Sequence, residues 1–190
     1  MTRGRIARLG SAAAAGALAW STALAGPQIE SLSARWDGAE ARVSYRVIGG
    51  LTDATLERIH SGIPVRFRHR IELRARRAVP IWPSRELGQT TVETQVEYDS
   101  LTQQYRLRRD TRLRDKGLSE PIVSEAVTDS RDEMEAWMTQ LADVRVTPTG
   151  GRASGTLRVR VDVTLDRRWI LLVFPSTVDA SASAGLVVPD

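Results

Sequence analysis

Period-two alternation through most of the chain, tight turn signals between the alternating runs, and only two short helical patterns predict a mainly β (α+β) fold. The expected architecture is an antiparallel meander sheet curled into a sandwich, with one short and one medium helix packed on it. A parallel sheet needs a helical crossover between successive strands, and two separated helices are too few for that.

The chain opens on a leader pattern. Arg3, Arg5 and Arg8 charge its front, Leu9 to Trp20 is a short Ala-rich apolar run, and Ala23-Leu24-Ala25 is a small-x-small cleavage signal. That run is shorter than the roughly 20 apolar residues that cross a bilayer. Residues 1–25 are therefore expected to be a cleaved signal peptide, with the protein periplasmic and without a transmembrane segment after processing. A single β-rich domain is expected over 26–175 and a loose tail over 176–190.

In the domain, Leu32, Ala34 and Trp36 alternate with polar residues, as do Ala41, Val43, Tyr45 and Val47. Asp37-Gly38 between the two runs predicts a two-residue hairpin turn. Gly49-Gly50 breaks the second strand. Thr52 is placed to cap a helix from Asp53 to about Ser61, with Leu51 and Leu56 as its staple and Gly62 and Pro64 ending it. The clearest alternation follows: Val65, Phe67, His69, Ile71, Leu73 and Ala75 on one face; Arg66, Arg68, Arg70, Glu72, Arg74 and Arg76 on the other. After a loop holding Trp82 and Pro83, the chain returns with Thr90, Val92, Thr94, Val96 and Tyr98 inward and Glu93 and Glu97 outward. Pairing these strands sets arginines against glutamates. Asp99-Ser100 turns the chain into a strand carrying Tyr105 and Leu107.

Residues 110–120 are polar and poorly patterned, and Ile122 to Val127 reads as a short strand. Ser130 and Glu133 form a capping box for a helix over Arg131 to Ala142, whose Met134, Trp137, Met138 and Leu141 make one apolar stripe. Burying those side chains, each worth roughly 1.5–3 kcal/mol, requires the helix to lie on the sheet. Val144 and Val146, a Pro/Gly loop and a long strand with Leu157, Val159, Val161, Val163 and Leu165 inward complete the regular part. Trp169 to Phe174 reads as a buried strand.

Composition narrows function. The chain has 27 basic and 23 acidic residues. Without the three leader arginines it is almost neutral, so its basic character is no argument for nucleic acid. Lys116 is the only lysine, as compositional bias of the genome would give. No cysteine is present, so no disulfide framework and no lipid-anchored mature N-terminus is expected. Two histidines and no cysteine leave little for a metal, and no cofactor is expected.

Four phrases then carry a resemblance: His60-Ser61-Gly62-Ile63-Pro64-Val65 with Phe67; Ile71-Glu72-Leu73; Tyr98 through Leu107; and the Leu157 to Leu165 strand. In order and spacing the set resembles the family called domain of unknown function 4390, uncharacterised exported proteobacterial proteins. The resemblance implies an exported β-rich protein and supplies no catalytic residues. It also implies a genomic neighbourhood with a sensor kinase, a hint of envelope sensing or maintenance.

For chemistry, His69 on an apolar face reads as a core histidine and His60 as a helix-end residue. No nucleophile elbow, zinc helix motif or phosphate loop is present. The arginine row Arg66, Arg68, Arg70, Arg74 and Arg76 stands above background, because guanidinium forks match phosphate oxygens. A solvated Arg/Glu ladder is its bland reading. Trp82 between Pro80 and Pro83 is either a contact residue or a cap on the core's edge.

The sequence thus favours a non-enzymatic exported domain that binds or supports another envelope protein or anionic lipid, through the arginine face, an edge strand or both. The rivals are a hydrolase using carboxylates alone, marked by a pocket with two facing carboxylates, and a lipocalin-like carrier of an apolar ligand.

Overall fold

A computed structural model describes residues 26–75, 85–114, 120–149, 155–166 and 178–188. The expected leader, Arg76, Trp82 and the Trp169 to Phe174 run lie outside the described residues. Among the described residues nine strands and two helices follow in the order β1 (Gln28–Asp37), β2 (Glu40–Ile48), α1 (Asp53–His60), β3 (Val65–Ala75), β4 (Glu86–Asp99), β5 (Gln104–Leu113), β6 (Ile122–Thr128), α2 (Arg131–Thr139), β7 (Gln140–Val146), β8 (Gly155–Asp166) and β9 (Val178–Val188).

All described pairings are antiparallel, and they make two sheets. One has the order β1-β2-β7, the other β6-β5-β4-β3-β8-β9. The two close on one side, where β1 runs beside β9. Their inner faces hold one core built from Val43, Val47, Ile71, Leu73, Val159 and Val161 among others. A second cluster, with Phe67, Val96, Leu107, Met134 and Met138, lies where α1 and α2 cover the other end of the large sheet. This is the two-sheet, helix-covered β fold that the alternation predicts.

Local chemistry explains the joints. The β1–β2 hairpin turns on Gly38 and Ala39, because Asp37 already pairs with Glu40. Gly38, at φ +64°, occupies the first turn position, where a side chain would be strained. The Thr52 side chain accepts from the Thr55 amide and caps α1. At α2 the Ser130 side chain accepts from the Glu133 amide at 3.3 Å. The Glu133 carboxylate accepts from Thr128 Oγ1 at 2.6 Å, so the capping box is only half made. At Gly88 the chain just after β7 passes so close that a Cβ there would clash with the Thr147 carbonyl oxygen.

Three expectations are corrected. The second helix ends at Thr139, not Ala142, because β2 captures the next residues into β7: Arg46 pairs with Gln140 and Tyr45 with Leu141. Leu141 is still buried. The stretch read as unpatterned from residue 110 continues β5 as far as Leu113. The tail read as loose from residue 176 forms β9 over Val178–Val188, paired along the whole of β8. Its alternation of Ala180, Ala182, Ala184, Leu186 and Val188 against Ser181, Ser183 and Gly185 is regular. Alanine and serine have low strand preference, which hides it.

Candidate functional site

Central position in the large sheet sets the geometry of the arginine row. Arg66, Arg68, Arg70 and Arg74 all project from the outer face of β3, between β4 and β8. All four have side-chain partners. Arg68 pairs with Glu93 at 2.8 Å, and Arg66 donates to Gln95 Oε1 at 2.7 Å. Glu72, outward on the same strand, is only 3% exposed, and Arg70 (2.7 Å) and Arg74 (2.6 Å) clamp it from both sides. The ladder continues on neighbouring strands, with Arg106–Asp99 at 2.7 Å, Arg108–Asp110 at 3.1 Å and Arg160–Asp162 at 2.9 Å. The Asp162 carboxylate holds the Arg160 pKa above its usual value. Backbone amides of Leu101 and Thr102 hold Asp99 below the usual carboxylate range.

One stretch of this face differs. β5 carries Arg112 opposite Thr91 of β4, and Thr91 in turn sits opposite Arg70 of β3. The short threonine between two arginines leaves a depression of about 450 Å³, lined by Arg68, Arg70, Arg112 and Arg114 with Gln89, Thr91, Glu93, Asp110 and Leu113. Arg114 spans Glu86 (3.1 Å) and Gln89 (3.2 Å). Arg112 is exposed and has no ion-pair or hydrogen-bond partner among the described residues. The depression therefore contains a guanidinium fork with its donors open to solvent, next to three more arginines.

Arg112 and Arg114 escaped sequence reasoning because Arg109, an arginine facing inward, interrupts the apolar pattern of β5. Reading Tyr105, Leu107, Arg109, Thr111 and Leu113 as one face would have put Arg106, Arg108, Arg112 and Arg114 on the other. Arg109 itself serves the fold. Its Nη2 donates to the Trp137 carbonyl at 2.6 Å, and its guanidinium lies 4.5 Å over the Trp137 ring. No basic residue occupies the last turn of α2, so Arg109 supplies the positive charge that a helix C-terminus attracts. Burial lowers its pKa from the usual value.

The carboxylates that line the depression, Glu93 and Asp110, are cross-strand neighbours. They stand side by side on one face rather than across a cleft, and Arg68 and Arg108 hold them. Both belong to the charge ladder of the outer face. The histidines lie elsewhere. His60 Nε2 sits 2.8 Å from the Tyr105 hydroxyl, its ring edge-on to Tyr98. His69 is fully buried between the sheets. Among the described residues no cluster of histidine, aspartate and glutamate is arranged to hold a metal. No described helix is long and apolar enough to cross a membrane.

Fold and face together define a two-sheet antiparallel β-sandwich with a guanidinium-lined outer depression. The chain belongs to the family described as Domain of unknown function (DUF4390), whose profile matches residues 25–170. No curated protein and no solved structure matches it.

Proposed function

We propose that this protein is an exported, periplasmic, non-enzymatic domain that holds phosphate groups of another envelope component in the Arg68/Arg70/Arg112/Arg114 depression. The observation that carries the reading is Arg112, an exposed guanidinium without a counter-charge among the described residues, set one threonine away from Arg70. Paired arginines present a charge-balanced surface; an unpaired one beside them keeps a net attraction for a dianion and a free bidentate fork. Export rests on the arginine-tipped, Ala-rich leader ending at Ala23-Leu24-Ala25. Intact-mass measurement on protein from the envelope fraction checks its cleavage: the mature chain starts at Gly26, and a mass retaining residues 1–25 would mean an uncleaved anchor and overturn the cleaved-leader reading.

Binding is tested with phosphatidylcholine vesicles with and without phosphatidylglycerol, and separately with inorganic pyrophosphate. Binding to either source weakens as salt rises, since exposed charges are screened beyond ~10 Å at 0.1 M. Arg112→Gln lowers affinity about five- to tenfold, the loss of one charge-assisted contact at an exposed site. Arg158→Gln, on the same outer face but away from the depression, leaves affinity unchanged. Equal losses from both variants would mean unspecific charge attraction and defeat the proposal. Retention of pyrophosphate but not vesicles would assign the site to a soluble phosphate compound.

A further inference from the structure

The large sheet has two ends, and they are finished differently. β9 lies against β1, so its edge is covered by the second sheet. β6 is paired on one side only, with β5, and among the described residues nothing pairs with its other edge. Between β6 and β7 the sheets part around a cavity of about 210 Å³ lined by Arg109, Leu113, Ile122, Leu141 and Val144. β6 is thus exposed along almost its whole length, and its sequence, Ile-Val-Ser-Glu-Ala-Val-Thr, is mostly apolar. Ile122, Val123 and Val127 are 47%, 45% and 61% exposed. Natural edge strands are usually blunted by lysine, proline, a bulge or a covering loop, because an open edge templates pairing. Within β6 only Glu125 carries a charge.

The order of residues along β6 selects its partner. In an antiparallel pair of identical strands related by a two-fold axis, opposed residues must point to the same face, so the axis passes through a residue. An axis through Ser124 or Ala126 sets Glu125 opposite a valine. An axis through Glu125 sets Val123 opposite Val127, Ser124 opposite Ala126 and Ile122 opposite Thr128. Each exposed valine then meets a valine, twice in the dimer, as an isologous contact requires. The one unfavourable pair, Glu125 with its copy, is flanked on each side by Arg108, whose Nη1 lies 3.6 Å from Glu125. We infer that β6 is the dimerisation edge of this protein, joining two copies antiparallel about Glu125 into one continuous twelve-stranded sheet. The outer faces of the two copies then form one surface, so each arginine depression gains a second copy alongside. The inference stands on the edge strand and is independent of what the depression binds.

Sedimentation equilibrium on the protein expressed from the full chain reads the dimer directly. A monomer–dimer equilibrium is expected in the micromolar range. Val123→Arg with Val127→Arg abolishes it; both side chains are solvent-exposed, so the fold survives, as the circular dichroism spectrum will show. Val187→Arg, more exposed still but on β9 at the other end of the sheet, leaves the dimer intact. Glu125→Gln tightens it about two- to fivefold by relieving the like-charge pair at the axis. A monomer mass at every concentration up to about 1 mM, a dimer indifferent to the double arginine variant, or equal disruption by Val187→Arg would each overturn the inference. Loss of the dimer without loss of phosphate binding leaves the depression's role standing, and the reverse result separates the two in the other direction.

Discussion

Acidification from pH 6.5 to pH 4.5 lowers the unfolding free energy of this protein by about 2–3 kcal/mol, and His69→Leu removes most of that loss. The cause is the position of His69 on the inner face of β3. Val92 and Val163 flank it as cross-strand partners, and the Tyr45 and Phe67 rings lie 5.8 Å and 6.3 Å away. Neither ring nitrogen has a hydrogen-bond partner among the described residues. Burial is the largest force on its proton, the Arg109 charge acts the same way, and together they push the pKa down to about 3. The Met138 carbonyl favours the proton but sits outside hydrogen-bond geometry, so burial wins. The unfolded chain binds that proton near pH 6.5 while the folded chain refuses it until about pH 3. Between those values the unfolded state holds more protons, and stability falls as pH falls, by roughly 1.4 kcal/mol per unit. Asp99 and Asp143, both held below the usual range, add their losses only below that window. Urea denaturation of both proteins at pH 7.0, 5.5 and 4.5 is the measurement. Parallel pH profiles for wild type and His69→Leu would show that another group sets the acid sensitivity.

His69 shows how much the sequence disclosed. Its parity among Val65, Phe67 and Ile71 is enough to place it inward, because a strand's period is fixed by backbone geometry. The capped starts of both helices were legible for a similar reason: capping chemistry is local. What stayed hidden depends on partners far along the chain. Glu72 looked like one more solvated member of the arginine face, since parity gives the side of the sheet and not the burial that Arg70 and Arg74 impose on it. Arg109 looked like a break in β5, because nothing nearby in sequence shows that α2, more than twenty residues on, ends beneath it. β9 was lost for a third reason: alanines packed on β8 are buried or half-buried without being strongly apolar, and the strand that covers them is not adjacent in sequence.

Removing both arginines that clamp Glu72 costs far more than exposed ion pairs usually do. Arg70→Gln with Arg74→Gln is expected to destabilise the protein by about 2–4 kcal/mol, against ~0.2–1 kcal/mol for an ordinary surface pair. The difference lies in the carboxylate. Glu72 keeps 4% of its side-chain surface, while the Arg70 and Arg74 side chains keep 49% and 30%. The guanidinium groups regain water when their partner goes; the carboxylate cannot, and an uncompensated buried charge is the expensive outcome. Arg160, opposite Glu72 on β8, retains part of the field, which holds the figure toward the lower end of the range for breaking a buried pair. Adding Glu72→Gln to the double variant removes the stranded charge and restores most of the loss. That rescue separates a charge effect from lost packing of the arginine stems, which a neutral residue at position 72 would not repair. Equilibrium urea unfolding of the wild type, the double variant and the triple variant at pH 7 decides it. A loss below about 1 kcal/mol in the double variant, or no recovery in the triple, would mean that Arg160 alone compensates Glu72 and that Arg70 and Arg74 contribute little to the fold. The expected result assigns the pairing of Arg70 and Arg74 with Glu72 to the fold, so that within the depression Arg112 is the arginine whose removal reports on binding without disturbing the sheet beneath it.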